Sequence, residues 1–536
     1  MTTEIEKMID DFIDEAFDRS PVVATMLGAD GYDDRLDDLS AEAFKERDER
    51  ADHWHARFSS IADDELNLEQ SIDRDLILSS LKGQRVLRDW KSWKRDPTTY
   101  VGTALQGVFL LFLNRVRPED ELTDAAVARM KAAPSALDHA RTNLDPALAS
   151  PLFVKRGVGM CRAGAGYFRG LVPAEAQNAA NRQRLSEAGE PAARAYDEFA
   201  EFLEKLGADA TGEWAIGEET YSALLLEKEM LGYGARDMLE RGRAAFADLA
   251  AEMSRQAQKM SGTDDYVAVL EELKADHPES HEQLREEFEE WTERSRQYLI
   301  DNDLVTMPEG EKCLVEPSPP FQRPILAVAS YSAPPAFKPS KTGHFFVPFP
   351  PDGTPEEEVK KRLQSTRHGI PTTAVHEAYP GHHWHLVKMQ ENPRRIRKVL
   401  RTSYFTEGWA LYTEKMMREQ GFFADPRQEL CHLAARIFRA ARIVVDTSLH
   451  IGEMTFDEAL EYIKGLGIPE PTARAEVERY CSWPTQAPSY LTGSLEIERM
   501  RERYFDEGRG DLKAFHDEIA TSGGLPIGLA ERSLLR

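Results

Sequence analysis

What most constrains this chain is the spacing of its apolar residues. In segments such as EELKADHPESHEQLREEFEEWTERSRQYLI (Glu271 to Ile300), apolar side chains recur three and four apart among charges. That period lines one face of an α-helix and does not fit the alternation of a strand. The pattern runs from the N-terminus to about Asn302 and returns after Thr372, which predicts two long, nearly all-helical stretches. Turn residues interrupt it at RSP (Arg19 to Pro21), GADGYDD (Gly28 to Asp34), EPSPPFQRP (Glu316 to Pro324) and LGIPEPT (Leu466 to Thr472). Between Leu314 and Thr354 the chain turns rich in proline, β-branched and aromatic residues, with short alternating runs around Ile325 to Tyr331 and His344 to Phe349. These predict short strands, which the prolines confine to edges or strand ends because proline has no N–H for a ladder. The expected fold is mainly α: a large helical protein with a small antiparallel sheet. An N-terminal helical region, 1–310, and a region with the sheet and C-terminal helices, 311–536, are expected to form one integrated fold over 1–536.

Composition narrows the functional classes. Of 536 residues, 41% are hydrophobic and 30% charged, which fits a folded, water-soluble chain. A formal charge of −26 argues against nucleic acid, whose binding rests on Lys and Arg neutralising phosphates. The opening MTTEIEKMIDDFIDEAFDRS has acids where a secretory signal needs a basic start and an apolar run, and no later segment reads as a membrane span. The expectation is a cytoplasmic protein without a membrane partner. Cys161, Cys313, Cys431 and Cys481 are far apart and none falls in a C-x-x-C pair, so any metal would rest on His and carboxylates.

The segment HEAYPGHHWH, His376 to His385, holds four of the fourteen histidines. It follows the predicted strands and opens a helix, with Thr372 or Thr373 as the expected N-cap. It begins like the zinc signature H-E-x-x-H but has Pro380 where the second His should stand. On a regular helix, residues four apart lie about 6 Å along the axis and about 40° around it, whereas residues six apart lie about 9 Å and 120° away. His376 and His382 therefore cannot share an ion on an ideal helix. Pro380 removes a helical hydrogen bond and Gly381 accepts unusual backbone angles, so the pair can force a bulge that brings His382 back. His383, seven residues from His376, is the competing candidate. Further on, TSYFTEGWALYTEKM (Thr402 to Met416) offers a carboxylate at Glu407, to complete a His2Glu set that leaves one coordination position open. Glu414, one heptad later, reads as a second ligand, as support behind the ligands or as a surface acid. Glu377 is then free to act as a general base on water.

Four motifs resemble the bacterial family numbered 885 among domains of unknown function: HEAYPGHH (His376 to His383), EGWALYTE (Glu407 to Glu414), RIVVDTSLH (Arg442 to His450) and WPTQAPSYLTG (Trp483 to Gly493). Their order and spacing agree over about 120 residues, and SPVVATMLGADGYDDRL near the N-terminus resembles the family's start. The resemblance implies a mainly helical, zinc-dependent, peptidase-like fold related in form to the glutamate-liganded zincins. It implies His376, His382 and Glu407 as zinc ligands and Glu377 as base. Two departures stand out. Pro348 replaces an Asn expected in the strand before the His segment, and Thr485 and Pro488 replace a Gly and an apolar residue in the C-terminal motif.

Beyond the metal, amide hydrolysis needs a donor for the developing oxyanion. Tyr490 is the first candidate and Tyr480 its rival. Arg442, Arg479 and Gln486 are candidates for holding substrate. His383 is expected to support the site, and Asp446 and His450, four apart on one helix, to pair behind it. The leading expectation is a zinc-dependent hydrolase that cleaves amide bonds of short peptides. Two others are an enzyme acting on a small non-peptide amide and a helical binding protein with a structural metal. A homodimer is compatible with all three.

Overall fold

In the computed structural model, residues 3–319, 323, 328–351, 353–363 and 367–535 are described, and helices dominate them. They divide into two compact units. The first comprises residues 3–70, 80–214 and 335–340; the second comprises 71–79, 215–334 and 341–535. The division thus falls at Trp214 and Ala215, not near residue 310. Its reason is that Ala235–Ser261 packs along Pro426–Ile451. Gly242 makes the approach close, since a Cβ there would come within 2.5 Å of Ile443 Cγ2.

In the first unit, Phe12, Trp54 and Phe58 meet edge-on or tilted in the core. The buried Arg129 fixes the N-terminal motif. Its guanidinium donates to the carbonyls of Arg35 (3.0 Å), Tyr32 (3.1 Å) and Gly107 and to the Thr25 hydroxyl (2.7 Å). A buried cation is tolerable here because its donors find acceptors. Gly28 ends the helix Pro21–Leu27 at φ 80°, the left-handed conformation that favours glycine.

The second unit carries the sheet and the His-rich segment. The strands β1 (Lys312–Pro317), β2 (Ser330–Ser332) and β3 (Thr342–Val347) lie in the order β1-β3-β2. β1 pairs with β3 in parallel, Lys312 opposite Thr342, and β2 pairs antiparallel, Tyr331 opposite Phe345. The sheet is therefore mixed and not antiparallel as expected. β1 was not foreseen, and it supplies the parallel pair. Residues 325–327 of the expected first run lie outside the described residues. Pro317 closes β1 and Pro348 follows β3, both at strand ends where a missing N–H is harmless.

Two helices define the floor of the site, Ser403–Glu419 and Ser489–Asp506. They touch backbone to backbone at Gly408 and Gly493. A Cβ on Gly493 would fall 1.8 Å from the Tyr404 carbonyl oxygen, and one on Gly408 would fall 2.5 Å from Gly493 Cα. These glycines belong to the EGWALY and YLTG motifs. Their lack of side chains draws together the helices that carry Glu407 and Tyr490.

Candidate metal centre

The His-rich segment is two short helices joined by a tight turn, not one bulged helix. The first, Ile370–Glu377, starts from Gly369 with Pro371 in its first turn, so Thr372 lies inside it and neither Thr372 nor Thr373 is the N-cap. The second is His382–Met389. Between them the Ala378 N–H donates to Ala374 (2.9 Å), Gly381 to Val375 (3.0 Å) and Trp384 to Ala378 (3.2 Å). The indole of Trp409 donates to the Pro380 carbonyl at 2.8 Å and pins the turn to the Glu407 helix. Gly381 sits at φ −68°, outside the left-handed region, so the expected backbone strain is not what requires glycine. Space is: a Cβ would fall 1.9 Å from the His376 carbonyl oxygen.

This turn sets the His376 and His382 rings 4.8 Å apart and nearly perpendicular. Glu407 Oε2 lies 3.6 Å from His376 Nε2 and 3.3 Å from His382 Nε2. One donor atom from each residue falls within 4.8 Å of the others. Donors at about 2.05 Å from a tetrahedral zinc stand roughly 3.3 Å apart, so the set fits that ion in both chemistry and spacing. Glu414 is not a surface acid. It is 1% exposed and its Oε1 binds His376 Nδ1 at 2.7 Å, which turns Nε2 toward Glu407. Its other oxygen lies 3.6 Å from Nδ1 of the buried His432. His383 faces away: Nδ1 meets the Tyr331 hydroxyl and Nε2 meets Glu311 Oε2, each at 2.8 Å. Glu311 also accepts from Arg296 (2.8 Å) and Tyr379, so His383 ties the turn to the start of β1.

The charges are strongly coupled. Burial alone lifts the Glu407 carboxyl, but His382 and His376 outweigh it and hold the group well below the usual carboxylate range. Burial depresses His376, yet Glu407 and Glu414 push it up to about 10. Burial also lifts Glu414, and the pull of His376 and His432 brings it down to about 2. These carboxylates are ionised at neutral pH, which suits the set to a cation. Glu377 is buried and raised by that burial, with His376 and His382 moderating the shift. A carboxyl moved toward neutrality is suited to take and release a proton.

Tyr490 stacks on His376 with centroids 6.3 Å apart and planes 15° apart, and Gln486 lies within hydrogen-bonding reach of it. Arg442 places its guanidinium 4.8 Å over the Tyr490 ring and donates to Glu476 at 3.0 Å. Arg479 donates to Glu476 at 3.0 Å and to Gln486. The rival Tyr480 is buried and donates its hydroxyl to Glu476 at 2.6 Å, so its proton is committed there. Asp446 and His450 are each held by partners of their own. Asp446 accepts from Tyr221 (2.6 Å) and the Thr485 N–H (3.2 Å), while His450 meets the Tyr480 carbonyl and the Ile216 N–H. Thr485 sits at φ 69°, a conformation that favours glycine and is unusual for a β-branched residue. Sequence reading missed Arg439, His432, Glu311 and the anchoring role of Trp409. The first two had a visible signal: His432, Arg439, Arg442, Asp446 and His450 recur at three, four and seven along the Pro426–Ile451 helix.

Two solved structures share this fold. The chain is similar to a "putative lipoprotein of unknown function from Shewanella oneidensis", at 21% identity and TM-score 0.81 over 100% of both chains. It is likewise similar to a "putative lipoprotein from Colwellia psychrerythraea", at 19% identity and TM-score 0.83 over 99% of this chain and 98% of the other. No protein of curated function matches, and among the described residues no helix is long and apolar enough to cross a membrane. Residues 21–534 match the family described as "Bacterial protein of unknown function (DUF885)", and the chain belongs to that family.

Proposed function

We propose that the chain is a zinc-dependent hydrolase that cleaves amide bonds of short peptides. The observation that carries this reading is the convergence of His376, His382 and Glu407, with a buried glutamate beside them that is not one of the three donors. A structural zinc site usually closes its fourth position with protein and has no use for such a carboxylate. Zinc held by these residues would supply the positive charge that polarises the scissile carbonyl.

The residues divide the remaining work. Glu377 takes a proton from water as its oxygen bonds to the carbonyl carbon, and the same proton passes to the leaving nitrogen as the C–N bond breaks. Tyr490, stacked on His376, donates its hydroxyl to the carbonyl oxygen as charge gathers there. Glu414 keeps His376 oriented through Nδ1.

Elemental analysis of protein purified without chelator should find about one zinc per chain. Glu377→Gln should retain it while peptide hydrolysis, read by mass spectrometry on a mixed peptide library, falls about 100-fold or more. Loss of zinc together with activity would remove Glu377 from the role of base, and a wild-type protein that takes up no zinc would end the proposal.

A further inference from the structure

Arg439 is a charged group near this centre that the proposed hydrolysis does not use. It lies on the Pro426–Ile451 helix, one turn before Arg442 and two turns after His432. Its neighbours on that row are engaged: His432 lies beside Glu414, Arg442 binds Glu476, and Asp446 holds Tyr221 and the Thr485 amide. Arg439 donates through Nη1 to the Ala435 carbonyl of its own helix at 3.0 Å. Its Nε is enclosed without a partner, and among the described residues no carboxylate lies at ion-pair distance from it. The charges that act on it are those of Glu414, Arg442, Tyr490 and Glu476, and it acts in turn on Glu377. Arg439 thus stands on one helix row between His432, which lies beside Glu414, and Arg442, which lies over Tyr490.

The balance of charge around it selects a ligand. Arg442 and Arg479 share the single carboxylate of Glu476, so with Arg439 three cations face one anion. One carboxylate suits the unpaired edge of the Arg439 guanidinium, which it can meet with two parallel hydrogen bonds. Location points the same way. In a peptide with a free C-terminus, only the peptide nitrogen and one α-carbon separate the last scissile carbonyl from the terminal carboxylate. An anchor for that carboxylate must stand close to the oxyanion donor, and Arg439 lies one helical turn from the guanidinium that covers Tyr490. An aminopeptidase would need a carboxylate free to receive the substrate's ammonium, but Glu414 and Glu476 are already bound by His376 and by the arginines.

We propose that Arg439, seconded by Arg442 over Tyr490, holds the substrate's terminal carboxylate, so that the enzyme takes peptides with a free C-terminus and removes their last residue. This rests on the hydrolase reading of the same site.

The test compares acetyl-Ala-Ala-Phe with its C-terminal amide on the zinc-loaded protein. Binding is measured by calorimetry in the Glu377→Gln background, and hydrolysis is measured in the otherwise unaltered chain. The free acid should be preferred by about 10- to 100-fold in both, as expected for one charge-assisted hydrogen-bonded contact. Arg439→Ala should collapse that ratio through KM with zinc content unchanged, and Arg439→Lys should restore part of it. Equal binding of acid and amide by protein with intact Arg439 would overturn the proposal whatever the variants do. So would an Arg439→Ala protein that lowers kcat equally on both substrates, since that marks an oxyanion donor. A chain that hydrolyses neither peptide yet binds the acid selectively would refute the hydrolase reading and leave the anchor standing.

Discussion

Gly381→Ala places one methyl group where the structure has no room for it. The added Cβ would stand 1.9 Å from the His376 carbonyl oxygen and 2.3 Å from that of Val375, both backbone atoms that cannot rotate away. Ordinary contact begins near 3.4 Å, so the His382 helix and the His376 helix must part by about 1.5 Å. The donors now stand 3.3 and 3.6 Å from Glu407 Oε2, and metal–ligand distances tolerate only about ±0.2 Å. Overpacking of this kind costs about 1–3 kcal/mol and sometimes more. If that cost falls mainly on the bound state, zinc affinity should drop by roughly 5- to 150-fold. Competition against a chromogenic chelator measures the affinity, and thermal melting of the apo-protein reads whatever part falls on the fold. Gly159→Ala is the control: a Cβ on this exposed helical glycine meets nothing within 4 Å, so it should be neutral or stabilising by about 0.5–1 kcal/mol. A Gly381→Ala protein that binds zinc within about threefold of wild type, with unchanged melting, would refute the claim that close packing of this turn builds the site.

Glu414→Ala should weaken zinc binding by about 10- to 100-fold in the same competition assay, because His376 loses the partner that orients it; unchanged affinity would make the contact incidental. Thr485→Gly should be more stable to urea than Thr485→Ala by about 1 kcal/mol, since both empty the same buried side-chain position and only glycine is free of the left-handed strain. The Thr485 N–H that serves Asp446 is backbone and survives both changes, so a glycine variant no more stable than the alanine one would refute the strain. Glu311 carries the pH prediction. Burial lifts its carboxyl, but His383, Tyr379 and Arg296 outweigh that and bring it down to about 2 from an ordinary 4.5. A depressed carboxyl contributes stability that is fully present above pH 4.5 and is lost as pH falls through the folded value, here up to about 3 kcal/mol. Urea titrations of wild type and Glu311→Gln at several pH values between 5 and 2 should show a shallower acid loss in the variant; parallel curves would contradict the assignment.

The helices were readable because their cause is local. Three-and-four spacing fixes a buried face, and the turn residues after Arg19, Leu27 and Lys464 stop helices where expected. What went unread depends on distant partners. β1, KCLVEP, is too short and too weakly alternating to declare itself, and it exists because β3 lies beside it in parallel, thirty residues on. The cap was misread for a related reason. Thr372 and Thr373 have the right chemistry, but a 3-10 turn at Arg367–Gly369 leads directly into the helix and makes a side-chain cap unnecessary. The boundary of the compact units is set by packing: nothing local in Ala235–Ser261 reveals that its face belongs to Pro426–Ile451.

The candidate set His376, His382 and Glu407 comes from the family resemblance; cysteine spacing leaves only His and carboxylates for a metal, and helix spacing alone leaves His382 and His383 as rivals. The sequence does not single out Arg439, and it leaves Glu414 between ligand, support and surface acid, since a charged residue on an amphipathic helix is most often solvated. What separates them from that majority is the face they share with other polar groups in an otherwise apolar helix surface, a pattern that costs stability unless partners or a ligand meet it. The same point resolves an apparent conflict of charge. A chain of formal charge −26 repels anions at long range, but salt screens that repulsion beyond about 8 Å. At close range Arg442 and Arg479 share Glu476, and the Nε of Arg439 has no partner. Net charge therefore argues against polyanions, which contact a broad surface, and is silent about a single carboxylate that reaches the centre.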